Sequence, residues 1–182
     1  MDAYYHSKGY NVEKLSQLQI PSFIIRFLIK TFDFAQTSMA SSIQYDVEPD
    51  PRLALTIQSA IVATEIILSY QPVFDLNPSH PILESGRSSI LPEITVKTLE
   101  RAIEFMPSIH PFSESSKSED PLRQFANFKP TLIRLLASLA GTNQTLQSRI
   151  GAAGGLKSCM NCAHVDMRES SMFQNNTFKT HC

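Results

Sequence analysis

The stretch from Phe128 to Ala163, FKPTLIRLLASLAGTNQTLQSRIGAAGGLKSCMNCA, constrains the fold more than any other part of the chain. Leu132, Leu135, Leu136 and Leu139 recur at the spacing of one helical face, so this helix needs another helix to cover it. Gly141 suits the left-handed residue that closes a helix, and Thr142 or Asn143 can cap the next one by accepting from its free N–H groups. Leu146 and Ile150 then form the inner edge of two turns. Gly154-Gly155 breaks the helix again, and Leu156, Cys159, Met160 and Ala163 resume the apolar spacing. Three helices that must share one core are the signature of a helical repeat.

The same residues resemble an armadillo repeat, in which a short helix carrying Asn and Ile leads to an Ala-Gly-Gly-hydrophobic start. More narrowly, the stretch from Phe128 to about Asp166 resembles the C-terminal domain of the ataxin-10 family. Phe128-Lys129 leads into Leu132, Ile133, Arg134 and Leu135; Asn143 follows, with Gln144 or Gln147 near Arg149, then Gly155-Leu156 and the pair Val165-Asp166. The resemblance implies an armadillo-like, non-catalytic cytoplasmic protein with roles in cell survival, cell division and cytokinesis. Beyond Asp166 the family continues with Asn-Pro-Phe and a segment ending Arg-Glu-Trp, whereas this chain reads MRESSMFQNNTFKTHC. That departure implies a truncated or alternatively ended product. Its last repeat would lack a covering helix, leaving Leu156, Cys159 and Met160 partly bare and disposed to self-association.

At 182 residues with 42% hydrophobic content, the chain can bury a core. Sixteen Lys and Arg against 17 Asp and Glu leave a net charge of −1, so no bulk field draws it to nucleic acid or an anionic membrane. MDAYYHSKGYNVEKL has neither the basic start nor the apolar run of a secretory signal, and the expected location is cytoplasmic. No apolar run is expected to span a membrane, because Arg26 and Lys30 interrupt the first rich segment and Glu65 the second.

Residues 1–20 read as a polar segment with a short helix capped by Asn11, and 21–106 as helical repeats. Pro21 starts a helix through Gln36 that is apolar on most of its circumference and must be covered on two sides. Asp50 can cap a helix started by Pro51, in which Leu53, Ile57, Ala60, Ile61, Thr64 and Leu68 face one way. Pro72, Pro78 and Pro81 predict a break with at most one turn of helix at Ile82 to Ser85. Pro92 restarts an amphipathic surface helix with Val96, Leu99, Ile103 and Met106 inside and Lys97, Glu100, Arg101 and Glu104 outside. Residues 107–120 read as a flexible Ser-rich loop, in which Ser116 and Ser118 lie beside acidic residues that suit an acid-directed kinase. Residues 121–166 form the armadillo-like repeat, entered by a helix from Leu122 to Phe128 that Pro130 ends or kinks, and 167–182 an irregular tail. Helix starts at Leu53, Glu93 and Thr131 are 93−53 = 40 and 131−93 = 38 residues apart, close to the roughly 40 to 47 of armadillo and HEAT units.

The chain is therefore expected to be an all-α, armadillo-like α-solenoid that binds a protein partner, with no catalytic, cofactor-binding or metal residue assigned. The alternative is a zinc module built on Cys159 and Cys162, with His164 and either His181 or Cys182 completing a tetrahedral set. Against it, Cys159 falls within an apolar helical run, where a thiol behaves as a small hydrophobe. Gly-x-Ser-x-Gly, P-loop and dinucleotide fingerprints are lacking, and the His residues are scattered, so no acid–base pair can be named.

Overall fold

The computed structural model describes residues 23–45, 48–106 and 125–162. The described residues form eight helices and no strand, so the chain is all-α as expected. They are α1 (Ile24–Tyr45), α2 (Arg52–Ser69), α3 (Gln71–Leu76), α4 (Pro81–Ser88), α5 (Leu91–Phe105), α6 (Phe128–Ala140), α7 (Gln144–Ala152) and α8 (Gly155–Asn161). Asn11 and its expected helix, Pro21, the Ser-rich stretch 107–120 with Ser116 and Ser118, and the tail lie outside the described residues.

In α1, Ile24, Leu28, Phe32, Ala35, Met39 and Ser42 form one buried stripe at helical spacing. The helix runs past the expected end at Gln36 because Met39 and Ser42 prolong this stripe. Thr37, Ser41 and Ser42 also donate their hydroxyls to carbonyls four residues back, so these polar side chains are satisfied without leaving the helix. In α2, Leu53, Ile57, Ala60, Thr64 and Leu68 are buried as the periodicity predicts.

Pro78 lies in the expected break between α3 and α4, but Pro72 and Pro81 start helices, and α4 runs Pro81–Ser88 where at most one turn at Ile82 to Ser85 was expected. Pro72 and Pro81 stand in the first turns of α3 and α4, where a missing N–H removes no intrahelical bond. Pro130 likewise lies inside the first turn of α6. The ladder begins beyond it with Thr131 donating to the Asn127 carbonyl at 3.0 Å, so Pro130 neither ends nor kinks the helix.

Two helical hairpins make up the core. α1 and α2 are joined by the short connection between Tyr45 and Arg52, with Phe34 beside Arg52, and pack along each other, so the two run antiparallel. Buried Lys129 at the start of α6 donates to the Met106 carbonyl at the end of α5, so these are antiparallel too. Across the hairpins the directions agree. Glu65 meets Thr131 and Arg134 and Gln71 meets Ser138, which aligns α2 with α6; a Cβ on Gly86 would approach Ile25, and Thr98 points to the Phe32 carbonyl, which aligns α1 with α5. The hairpins thus stack in two layers, α1 beside α5 and α2 beside α6. The ring contact of Phe32 with Phe128, 6.5 Å between centroids, closes the core diagonally.

This stacking changes the meaning of the 40-residue spacing. Equivalent helices start at 24 and 91, and at 52 and 128, separations of 91−24 = 67 and 128−52 = 76. The shorter interval counts successive long helices that occupy alternate layers. The larger unit is lengthened by α3 and α4, which fold back against α2, α5 and α6.

α5 is also more than a surface helix. Its charged side chains Lys97, Glu100, Arg101 and Glu104 are exposed as expected, yet it packs on α1, α4, α6, α7 and α8. Thr95 and Thr98 permit this, because each donates its hydroxyl within the helix, to Leu91 and Ile94, and so can be buried without an unmet donor.

Thr64 is the exception: its hydroxyl is buried with no hydrogen-bond partner. Thr64→Val should therefore be neutral or stabilising by about 1 kcal/mol. Phe32→Ala, which empties the diagonal contact, should cost about 3–5 kcal/mol. Urea unfolding followed by circular dichroism reads both.

Candidate binding groove

The residues that carry the family resemblance build a corner. Gly141 closes α6 with φ 42°, and Asn143, the second of the two candidate caps, accepts from the Leu146 N–H at 3.0 Å. Gln147 donates to the Gly141 carbonyl at 2.8 Å. Arg149 reaches from α7 to the α4–α5 junction, donating to the carbonyls of Arg87 (2.7 Å) and Ser89 (2.9 Å) and pairing with Glu93. Arg87, itself buried, donates to the Leu139 carbonyl at the end of α6 and to the Pro78 carbonyl. At Gly155 a Cβ would lie 2.5 Å from the Ile150 side chain and 2.9 Å from its carbonyl oxygen, so only glycine lets α8 approach α7 this closely. Asn143, Gln147 and Arg149 satisfy backbone here and Gly155 yields space, while Leu156 is exposed. The motif is a clasp holding α4, α6, α7 and α8 together.

Cys159 and Cys162 lie one helical turn apart, both half-buried against the core. Burial pushes the Cys159 thiol up from its ordinary pKa, which opposes the thiolate that zinc binding needs. His164, His181 and Cys182 lie outside the described residues. Among the described residues no three His, Cys, Asp or Glu side chains group at metal-binding distance. Leu156 and Met160 of α8 are exposed, while the buried positions of this helix are Gly155 and Ser158.

What periodicity missed is a groove between α1 and α2. About 450 Å³ in volume, it is lined by Phe27, Thr31 and Phe34 on one side and by Leu55, Thr56 and Ser59 on the other, with Lys30 and Arg52 also in its walls. The Arg52 guanidinium lies 5.3 Å from the Phe34 ring centroid and is held there by Asp50, 2.7 Å away. Asp50 also accepts from the Arg52 N–H at 2.9 Å, so it caps the start of α2 as expected. Hydrogen bonds from Arg52 and its positive charge hold the Asp50 carboxyl down at about 2.

The groove continues into an apolar stripe along the outer face of α2. Leu55 is 67% exposed, Val62 61% and Ile66 43%. By length and composition alone α2 is apolar enough to cross a membrane, contrary to the expectation from Glu65, because that is the one charge within the helix beyond Arg52 at its start. Glu65 is paired with Arg134 at 2.7 Å, and the other face of α2 belongs to the shared core. The signal was present in the sequence as an apolar residue on nearly every side of α2, a pattern that marks a helix covered all round.

Comparison of the chain with protein-family models, with curated proteins and with solved structures finds no match in any of the three.

Two outcomes test this geometry. Replacing Arg149 by Met should cost about 1–2 kcal/mol in urea unfolding, and Lys should not restore it, since only the guanidinium fork serves Glu93 and two carbonyls together. Asp50 has its folded pKa depressed. Its contribution should therefore be complete above the usual carboxylate pKa of about 3.9 and fade as pH falls through about 2. Carbon NMR titration of the Asp50 carboxyl should return to the ordinary range in Arg52→Ala.

Proposed function

We propose that the chain is a non-catalytic, protein-binding scaffold, a short armadillo-like α-solenoid of the kind the ataxin-10 resemblance implies. The support is architectural: two hairpins stacked in layers with parallel equivalents are the arrangement from which solenoids are extended. The observation that carries the binding role is the α1–α2 groove, lined by Phe27, Phe34 and Leu55 with two cations in its walls, on a pair of helices whose other faces join the core. A groove of this kind takes an amphipathic helix by its apolar face. Cytoplasmic location and roles in cell division and cytokinesis belong to the same proposal and rest on the resemblance.

The test compares affinity capture by the wild-type chain, Leu55→Asp, and Lys97→Asp as a control at an exposed α5 position outside the groove lining. Leu55 is exposed, so the substitution should leave the melting temperature unchanged. At least one captured protein should fall about tenfold with Leu55→Asp and stay constant with Lys97→Asp. Identical protein sets for all three chains would sink the reading.

A further inference from the structure

We infer that the occupant of this face is a second copy of the chain, docked as an antiparallel pair of α2 helices about a two-fold axis. The inference rests on the groove being a binding surface and names what fills it.

The exposed positions within α2 are Arg52, Leu55, Gln58, Ser59, Val62, Ile66 and Ser69; of these Leu55, Ser59, Val62, Ile66 and Ser69, spaced by four, three, four and three residues, follow a two-helix seam, with Gln58 at its flank. In an antiparallel seam each position meets one at a fixed sum of residue numbers. With the axis between Ala60 and Ile61, Leu55 of one copy meets Ile66 of the other, and Ser59 meets Val62; the symmetric contacts complete four layers. Every large side chain then has a partner, and the small Ser59 makes room for Val62 where the helices come closest. The stripe is complementary to itself, as a two-fold interface requires.

The groove fits the same register. Leu55 and Ser59 form part of its lining, so Ile66 and Val62 of the second copy enter it between Phe27 and Phe34. Charge agrees as well. Arg52 lies opposite Ser69 of the second copy, at the negative C-terminal end of its α2. Asp50 engages the Nε and Nη2 of Arg52, leaving the Nη1 edge toward those carbonyls. The pairing also explains why a helix with a normal share in the core carries apolar residues on its outer side.

One helix pair with its flanking groove covers less than the roughly 1,200 Å² of a standard stable interface, so the dimer should dissociate on dilution. Light scattering and sedimentation equilibrium over a concentration series test it on the full chain. Wild type and Val62→Ile should form a dimer, while Val62→Glu should raise the dissociation constant at least about tenfold with unchanged helicity and melting in its monomeric form. Ser59→Lys should also be monomeric alone. Mixed, the Ser59→Lys and Val62→Glu chains should form a one-to-one dimer, since the register sets the new lysine against the new glutamate.

A wild-type chain that stays monomeric at every concentration overturns the proposal, as does a dimer indifferent to Val62→Glu, which would point to the exposed Leu156 and Met160 on α8. Failure of the mixed pair overturns the register and with it the argument from self-complementarity. A monomer that still loses a captured protein in Leu55→Asp would reject the dimer and leave the scaffold reading intact. A Val62-dependent dimer whose captured proteins ignore Leu55→Asp would do the reverse.

Discussion

The architecture depends on α5 being able to lie inside. A helix with four exposed charges and two threonines has the composition of a surface element, and only the internal bonds of Thr95 and Thr98 let its other sides be covered. With those hydroxyls satisfied, α5 packs on α1 along one side and on α6 along another, and the corner helices α7 and α8 rest on a third. Remove that possibility and the two hairpins keep chiefly the α2–α6 contact between them. The Phe32–Phe128 contact then works as a diagonal brace, because each ring reaches the middle of a space that four helices have already enclosed.

Periodicity made the inner faces legible. The leucines of α6, the Leu53-to-Leu68 stripe of α2 and the caps at Asp50 and Asn143 follow from spacing and side-chain chemistry alone, since each is decided within a few residues of itself. What spacing left open is decided at a distance. Whether a proline breaks a chain or begins a helix depends on which turn it occupies, and Pro72, Pro81 and Pro130 all fell in first turns. The interval of about 40 residues between long helices was real, but which of those helices stack is fixed by contacts such as Glu65 with Arg134, between residues far apart in sequence.

The corner around Arg149 separates two kinds of information. Asn143, Gln147, Arg149 and Gly155 are among the positions on which the resemblance is drawn, and each has a task within the chain: capping a helix, holding a carbonyl, clasping the α4–α5 junction or yielding space. Residues so employed constrain how helices turn. They bear on architecture, and a partner is chosen by side chains that point away from the core.

Outward apolar side chains occur on both helices of the first hairpin, Phe27, Ile43 and Tyr45 on α1 and Leu55, Val62 and Ile66 on α2. α5 carries charged residues on its solvent side, whereas α2 presents Leu55, Val62 and Ile66 at regular helical spacing. Exposure of a single large hydrophobe is ordinary, but three at seam spacing, continuous with a groove that holds Phe27, form a contiguous patch. Ser59, between Leu55 and Val62, does not dilute that patch so much as shape it, because a small side chain there allows another helix backbone to come near. Core packing accounts for one face of α2, and nothing in the hairpin itself requires the other to be apolar. The composition of that outer face is therefore the feature that ties this fold to an interaction, and its size pattern, large against large and small against medium under a two-fold rotation, selects the chain itself as the partner.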